Sequence, residues 1–283
     1  MIFPNARPIV KLGPSLSMFK MLLMAAGTSR PHLRGRSLTL LRPFIRDGQI
    51  AVHYRCQGRR YKVWVRVADF ESDWQTVNEM AVQKIYEVDI GFSPDLVIDG
   101  GGNTGLFTLY AAAVYPSAQV IVCEPVPRNL AQIEKHLRIN HVTAEVRPVC
   151  IGGSERKIPF YVREANQGSF DPGLPYRSQI DVDVVTLASL VRSRDAKRIL
   201  IKLDIEGMEV EALESFVRDE TRPVLVVGEV HDAGINVALL EQIFRRSGWT
   251  VRFGNLGPMT GDFSAWSPAA ALMLADRPAT PAS

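Results

Sequence analysis

Asp99 is followed by Gly100, Gly101, Gly102, Asn103, Thr104 and Gly105, an acid leading into a glycine-rich turn. The turn comes straight after the apolar run Leu96, Val97 and Ile98. Glycines let a backbone bend sharply and approach a ligand closely, because no Cβ intervenes. Free amides at the start of a following helix favour a negatively charged group. Glu124 ends the next apolar run, 124 − 100 = 24 residues after the first glycine. A carboxylate there can accept hydrogen bonds from both hydroxyls of a ribose. Strand, glycine turn, helix, strand and acid, in that order, point to a nucleoside-bearing cofactor. The competing reading, a helix-entry turn beside a surface glutamate, leaves the order unexplained.

Gly100, Gly102 and Gly105 also satisfy the spacing G-x-G-x-x-G, which favours NAD(P). Asp99 argues the other way, since a carboxylate beside the first glycine repels a pyrophosphate. S-adenosylmethionine carries no phosphate; it brings an ammonium, a carboxylate and a sulfonium. An acid beside the ammonium and loop amides toward the carboxylate make sound electrostatics. Methyl transfer to an alcohol also needs a base as the new bond forms. Asp204 and Glu206 follow one apolar run, and Glu229 and His231 end another. Histidine, whose ordinary pKa is near neutrality, suits that role. The same four side chains could instead bind Mg²⁺ or Mn²⁺, a weaker reading because paired acids often occur without metal.

These residues need a scaffold that brings strand ends together. The chain has 283 residues, 46% of them hydrophobic and 22% charged. That composition excludes a disordered or fibrous chain. No apolar run approaches the ~18 residues that span a bilayer. Residues 18–26 are apolar but interrupted by Lys20, which reads as an amphipathic helix. Cys56, Cys123 and Cys150 are odd in number and widely spaced, against a zinc ribbon or disulfide framework. A reducing, cytoplasmic location is expected. Residues 1–60 hold 11 Lys and Arg against one acid, Asp47. Such an arm suits an anionic partner or simply pairs with the acidic remainder of the chain. It lacks the aromatic interleaving of a nucleic-acid face, so no nucleic acid is expected.

Alternation around residues 50–54 and 61–67 predicts a β-hairpin, with 57–60 as its connection. Apolar residues Val77, Met80, Ala81, Ile85 and Val88 predict a helix over 73–88. A boundary is placed near 91–94. Beyond it, strands at 95–99, 119–124, 144–149, 199–204 and 224–229 alternate with helices ending near 114, 139, 217 and 246. Short extra strands are expected at 157–162 and 181–185, and a closing hairpin from 249–253 and 271–275. The pattern is α/β: a largely parallel, Rossmann-like sheet with helices on both faces. Ligands bind outside the carboxyl ends of such strands, where strand order reverses. Residues 1–90 then form a basic extension, 91–276 the main domain and 277–283 a frayed tail. The segment 166–177, punctuated by glycine and proline, reads as a lid, with Ser169, Tyr176 and Arg177 as candidate contacts.

Four pieces together resemble the FkbM-type methyltransferases: the run from Asp99 to Gly105; Cys123, Glu124, Pro125; Val185, Thr186, Leu187; and Lys202-x-Asp204-x-Glu206-Gly207-x-Glu209. The resemblance spans roughly residues 70–255 and leaves 1–50 outside. It implies the seven-stranded class I methyltransferase fold, S-adenosyl-L-methionine as cofactor, and O-methylation of a small-molecule or glycan hydroxyl. Cofactor contacts are then expected from Asp99, Gly100, Gly101, Gly102, Asn103, Thr104, Gly105, Glu124, Pro125, Cys150 and Asp204. Cys150 and Ile151 take the adenine neighbourhood through apolar packing. Asp204, Glu206 and His231 are the catalytic candidates, without a metal. Glu209, Glu211 and Glu214 read as a solvated helix face. The fourth strand lacks the Asn/Asp-Pro-Pro-aromatic signature of enzymes that methylate bases. An NAD(P)-dependent oxidoreductase and a non-catalytic binding domain are the alternatives.

Overall fold

The computed structural model describes residues 45–275 except 81–84, 87, 89, 164–167, 171, 172, 174 and 193. The expected N-terminal helix at 18–26, most of the basic arm and the tail lie outside the described residues. In chain order the elements are β1 (Ile45–Arg46), β2 (Gln49–Cys56), β3 (Arg59–Arg66), α1 (Phe70–Asn78), β4 (Leu96–Gly100), α2 (Leu106–Val114) and β5 (Gln119–Cys123). Next come α3 (Pro127–Asn140), β6 (Glu145–Arg147), β7 (Val149–Ile151), β8 (Arg156–Val162), β9 (Gly168–Ser169), β10 (Ser178–Val185) and α4 (Leu187–Arg192). The chain continues with β11 (Ile199–Leu203), α5 (Glu209–Val217), β12 (Val224–His231), α6 (Ala233–Arg246), β13 (Thr250–Gly254), β14 (Thr260–Trp266) and α7 (Pro268–Ala275).

The apolar runs at 96–100 and 199–203 are buried at every position, as strands covered on both faces must be. They pair side by side in parallel at the centre of a seven-stranded sheet, ordered β13-β14-β12-β11-β4-β5-β6. Only β14 runs antiparallel to its neighbours. This is the Rossmann-like class I methyltransferase topology. From β4 the chain builds outward through β5 to β6, then returns to β11 on the other side. The carboxyl ends of β4 and β11 are therefore the switch point, and the glycine turn and Asp204 leave the sheet there.

The expected hairpin is present as β2 and β3, with Tyr54 opposite Tyr61. Its connection is tighter than 57–60: Gln57 and Gly58 alone make the turn, both at positive φ, and Arg59 and Arg60 belong to the strand. Ile50, Val52, Tyr61, Val63 and Val65 face inward and share a buried cluster with Leu106 and Leu109 of α2 and Ile133 and Leu137 of α3. Each such side chain contributes about 1.5–3 kcal/mol on burial. The hairpin thus packs directly on α2, the helix that follows the glycine turn, and on α3.

Three expectations change. The helix expected over 73–88 begins at Phe70, and its α-helical part ends at Asn78. Asp73 is no start signal, because its carboxylate is held inside a pair with Arg66. The strand expected at 144–149 divides at Pro148, which has no N–H to donate. Its second part, β7, leaves the main sheet for a four-stranded one, ordered β7-β10-β8-β9. Finally, β13 pairs with β14, and 271–275 belongs to α7. Thr260–Trp266 alternates in burial along its length, whereas Pro268 and the alanines after it favour a helix start. Among the described residues no helix is long and apolar enough to cross a membrane.

Candidate functional site

At Gly101 the turn after β4 touches the turn after β11. Its φ is +73°, and a Cβ there would lie 1.8 Å from the carbonyl oxygen of Asp204. No other residue fits without moving one of the two turns. The Gly101 and Gly102 amides donate to the carbonyl of Cys123, at 3.0 and 2.9 Å, which ties the loop to the end of β5. Lys202 holds it from the opposite side. This buried ammonium donates to the carbonyls of Gly100 and Gly101, at 3.1 and 2.6 Å.

Asp99 does not lie open to the cleft. It has no exposed surface; its Oδ2 accepts from Thr108 at 2.6 Å, and its Oδ1 lies 3.5 Å from the Lys202 ammonium. The pair braces the loop from beneath. Gly100 packs against Ile151 and Leu203, Thr104 is buried, and Gly105 precedes α2 at positive φ. These four expected cofactor residues support the loop and do not line the cleft.

The cleft has two compartments. The first is lined by Gly101, Asn103, Glu124, Pro125, Val126, Cys150, Ile151, Phe160, Phe170, Asp204 and Glu206. Glu124 is nearly fully buried. Its oxygens accept from the Asn103 amide at 2.8 Å, the Val126 amide at 2.9 Å and the Asn129 side chain at 3.2 Å. Burial pushes its pKa up to about 7, with those donors and Lys202 opposing the shift. Burial, and then the charge of Glu124, pushes the Cys150 thiol up to about 12, so it stays protonated and acts as apolar wall. Phe170, from the 166–177 segment, packs edge-on against Phe160 at 5.0 Å. A buried carboxylate beside an apolar slot suits a nucleoside: ribose against Glu124, base against Cys150, Ile151 and the phenyl rings. Tyr176 lies exposed on Tyr161, and Arg177 donates its amide to Val162. The side chain of Ser169 and residues 166, 167, 171, 172 and 174 lie outside what is described.

The second compartment opens on the other side of Gly101. Ser72, Gln75, Thr76 and Glu79 line it, together with Tyr86, Arg163, Asp204, Glu206, Glu229, His231 and Thr260. Asp204 and Glu206 therefore border both compartments. His231 reaches them with Nε2, 3.9 Å from Asp204 Oδ1 and 3.6 Å from Glu206 Oε2. Its Nδ1 is 3.0 Å from Glu209 Oε1. Burial works to lower the imidazole pKa, but the Glu209 hydrogen bond and the surrounding carboxylates outweigh it and raise it to about 10. His231 is thus a cation at neutral pH, contrary to its expected poise as a base. Burial, and then the charge of Asp204, pushes Glu206 up to about 7. Burial raises Glu79 and Glu229 as well.

Glu209 corrects the reading of a solvated helix face. It has no exposed surface, and Oε1 also accepts from the amides of Ile205 and Gly207, at 3.0 and 3.2 Å. Glu206, between them, sits at φ +57°, so the Glu209 carboxylate holds a strained turn in place. Glu211 pairs with Arg156, and Glu214 is exposed. The spacing Lys202-x-Asp204-x-Glu206-Gly207-x-Glu209 was visible in the sequence, but the roles of its two ends were not. Glu79, Asn129 and Arg163 carried no local signal. Among the described residues no three His, Cys, Asp or Glu side chains are grouped to hold a metal ion.

The family profile described as the methyltransferase FkbM domain matches residues 99–248, more than half of the chain. Methyltransferase 1 of Beauveria bassiana (strain ARSEF 2860) is 26% identical over 198 residues, covering 61% of this chain and 79% of that protein. The 31-O-demethyl-FK506 methyltransferase FkbM of Streptomyces tacrolimicus is 26% identical over 191 residues, covering 56% and 73%. Among solved structures, a methyltransferase FkbM from Methylobacillus flagellatus KT aligns over 89% of this chain and 58% of its own, with 14% identity and a TM-score of 0.44.

Proposed function

The chain belongs to the methyltransferase FkbM domain family, whose methyl donor is S-adenosylmethionine, and from that premise we propose that it O-methylates a hydroxyl of a small polar acceptor, a sugar or a secondary metabolite. The observation that carries this reading is the shared position of Asp204 and Glu206, on the border between the nucleoside compartment and the polar cleft.

S-adenosylmethionine supplies a methyl group already activated on a sulfonium. The protein's part is to bind, orient and deprotonate. Glu124 holds the ribose, and Gly101, which has no side chain, lets it lie close to the turn. Cys150, Ile151, Phe160 and Phe170 enclose the base and exclude water. Glu206, whose carboxyl is poised near neutrality, takes the proton of the acceptor hydroxyl. His231, fixed by Glu209, keeps a positive charge between Asp204 and Glu206 and so permits both carboxylates in one cleft.

Serine, threonine, glutamine and carboxylate groups around the acceptor cleft favour a hydroxyl-rich acceptor over an apolar one. The Streptomyces relative is named for an O-demethyl compound, which supports oxygen as the accepting atom. Family membership outweighs the glycine spacing that favoured NAD(P). The intact acid cluster argues for catalysis over a purely binding role. Cys56, Cys123 and Cys150, odd in number and widely spaced, suit a reducing, cytoplasmic compartment.

The test is a screen with labelled S-adenosylmethionine across glycans, polyketides and phenols, with the methylated atom located by NMR. Label on a hydroxyl oxygen supports the proposal. Label on carbon or nitrogen overturns it.

A further inference from the structure

Glu124 accepts from two main-chain amides and one side chain, and the side chain comes with a relay behind it. Asn129, on the first turn of α3, is buried. An amide side chain can present either its oxygen or its NH₂ group, so something must decide which faces the carboxylate. Arg66, the last residue of β3, decides it. Its Nη1 donates to Asn129 Oδ1 at 3.1 Å. A guanidinium has donors only, so the amide oxygen faces Arg66 and the NH₂ is left to Glu124, 3.2 Å away. Arg66 is fixed in turn. Its Nε and Nη2 donate to the two oxygens of Asp73, at 3.0 and 2.7 Å, and its own amide donates to Asp73 Oδ2 at 2.8 Å. Asp69 lies 3.8 Å from Nε and also takes the Arg128 guanidinium.

We propose that Asn129 and Arg66 are positioning residues for the ribose carboxylate, through which β3 and α1 set the cofactor affinity of a site they do not line. The inference rests on the reading of Glu124 as the ribose acceptor. Asn129 with its amide reversed would set a carbonyl against a carboxylate, a repulsive contact in a buried place. Other groups around Glu124 are Lys202 from β11, Cys150 from β7, and Asp204 and Glu206 across the same compartment. Among the described residues that donate a hydrogen bond to Glu124, only Asn129 takes its orientation from another side chain.

Losing the Asn129 donor makes the charged form of Glu124 harder to keep, so its protonation moves to higher pH. A protonated carboxyl accepts fewer hydrogen bonds from a ribose. The experiment is calorimetric titration of S-adenosylhomocysteine into wild type, Asn129→Leu, the near-isosteric Asn129→Asp and Arg66→Met, between about pH 6 and pH 9. Asn129→Leu is expected to weaken binding about tenfold at pH 7 and to recover most of it by about pH 9. Asn129→Asp, which adds a like charge without changing shape, shifts the acid limb at least as far. Arg66→Met follows Asn129→Leu. Wild-type affinity at every pH in the Asn129 variants, or a loss independent of pH, overturns the proposal. Glu124→Gln separates the two layers. Wild-type affinity in Glu124→Gln removes the ribose reading and this inference with it. Lost affinity there, beside unchanged Asn129 variants, removes the inference alone.

Discussion

The two compartments on either side of Gly101 are built on opposite principles. On the nucleoside side Glu124, apart from the Asp204 and Glu206 that both compartments share, sits among backbone amides and one oriented side chain. On the acceptor side Glu79, Asp204, Glu206 and Glu229 share a partly open cleft with His231. The first is held by two main-chain amides and by one side chain that a second orients. The second is held by charge coupling among side chains, so each protonation state depends on the others. A cofactor common to a family suits the first kind of site. An acceptor that differs between relatives suits the second, because substitutions there retune the cleft without disturbing the donor.

The largest expected break in this contrast is Glu206→Gln. Turnover should fall about 10²–10³-fold, with cofactor affinity within about threefold of wild type. Initial rates and calorimetry on the same preparation check this, and a parallel loss of affinity would show that the compartments are not separable. Glu124→Ala is its mirror image. Affinity for S-adenosylhomocysteine should fall roughly 30–100-fold, since a charged acceptor is lost from a buried site. Retained affinity would leave the nucleoside compartment without its anchor.

His231→Gln sharpens the comparison from the acceptor side. Removing the cation between Asp204 and Glu206 raises the Glu206 pKa further above about 7, so the acid limb of turnover moves to higher pH. Turnover at neutral pH should drop about tenfold and partly recover in alkali. A limb that stays in place would show that the imidazolium does not govern Glu206.

The smallest effect is on the stability of the ligand-free protein. Glu124 and Glu206 have folded-state pKa values near 7, above their ordinary carboxylate range. Their contribution is fully present below the unfolded value and lost as pH rises through about 7. His231, raised to about 10, contributes fully below its ordinary value near 6.5 and loses that contribution as pH rises through about 10. The melting temperature should therefore fall by roughly a few degrees as pH rises from about 4.5 to about 7, and further from about 6.5 to about 10. Glu124→Gln should flatten the first fall, and scanning calorimetry across that range checks both.

Much of the architecture around Glu124 was legible in the chain. Its elements are local: an apolar run, a glycine turn, a helix, and an acid at the end of the next run. The topology follows from such alternation because parallel strands need covered crossovers of fixed hand. The place of Glu124 at the end of β5 follows from spacing alone. The acceptor side was half legible. Asp204, Glu206 and His231 were identified as a group, but His231 was expected near neutrality. The reason lies in Glu209, whose burial beneath the turn no spacing reveals. Read by position, Glu209 belongs to a charged helix start; folded, it braces Ile205 and Gly207 and charges the imidazole. Asp99 shows the reverse. Its place before the glycines suggested contact with the cofactor, and the fold gave it to Thr108 and Lys202 instead.

Residue order alone determined the strand alternation, the switch point and the carboxylate at the end of the second parallel strand. Each depends on hydrophobic periodicity and turn chemistry within about twenty residues. Tertiary structure alone decided which carboxylates are charged, which are walled in, and that the hairpin reaches Glu124 through Arg66 and Asn129. Protonation depends on burial and on the distances between groups far apart in the chain, from Arg66 to Asn129 and from Glu209 to His231. Those distances exist only once the sheet has closed the chain on itself.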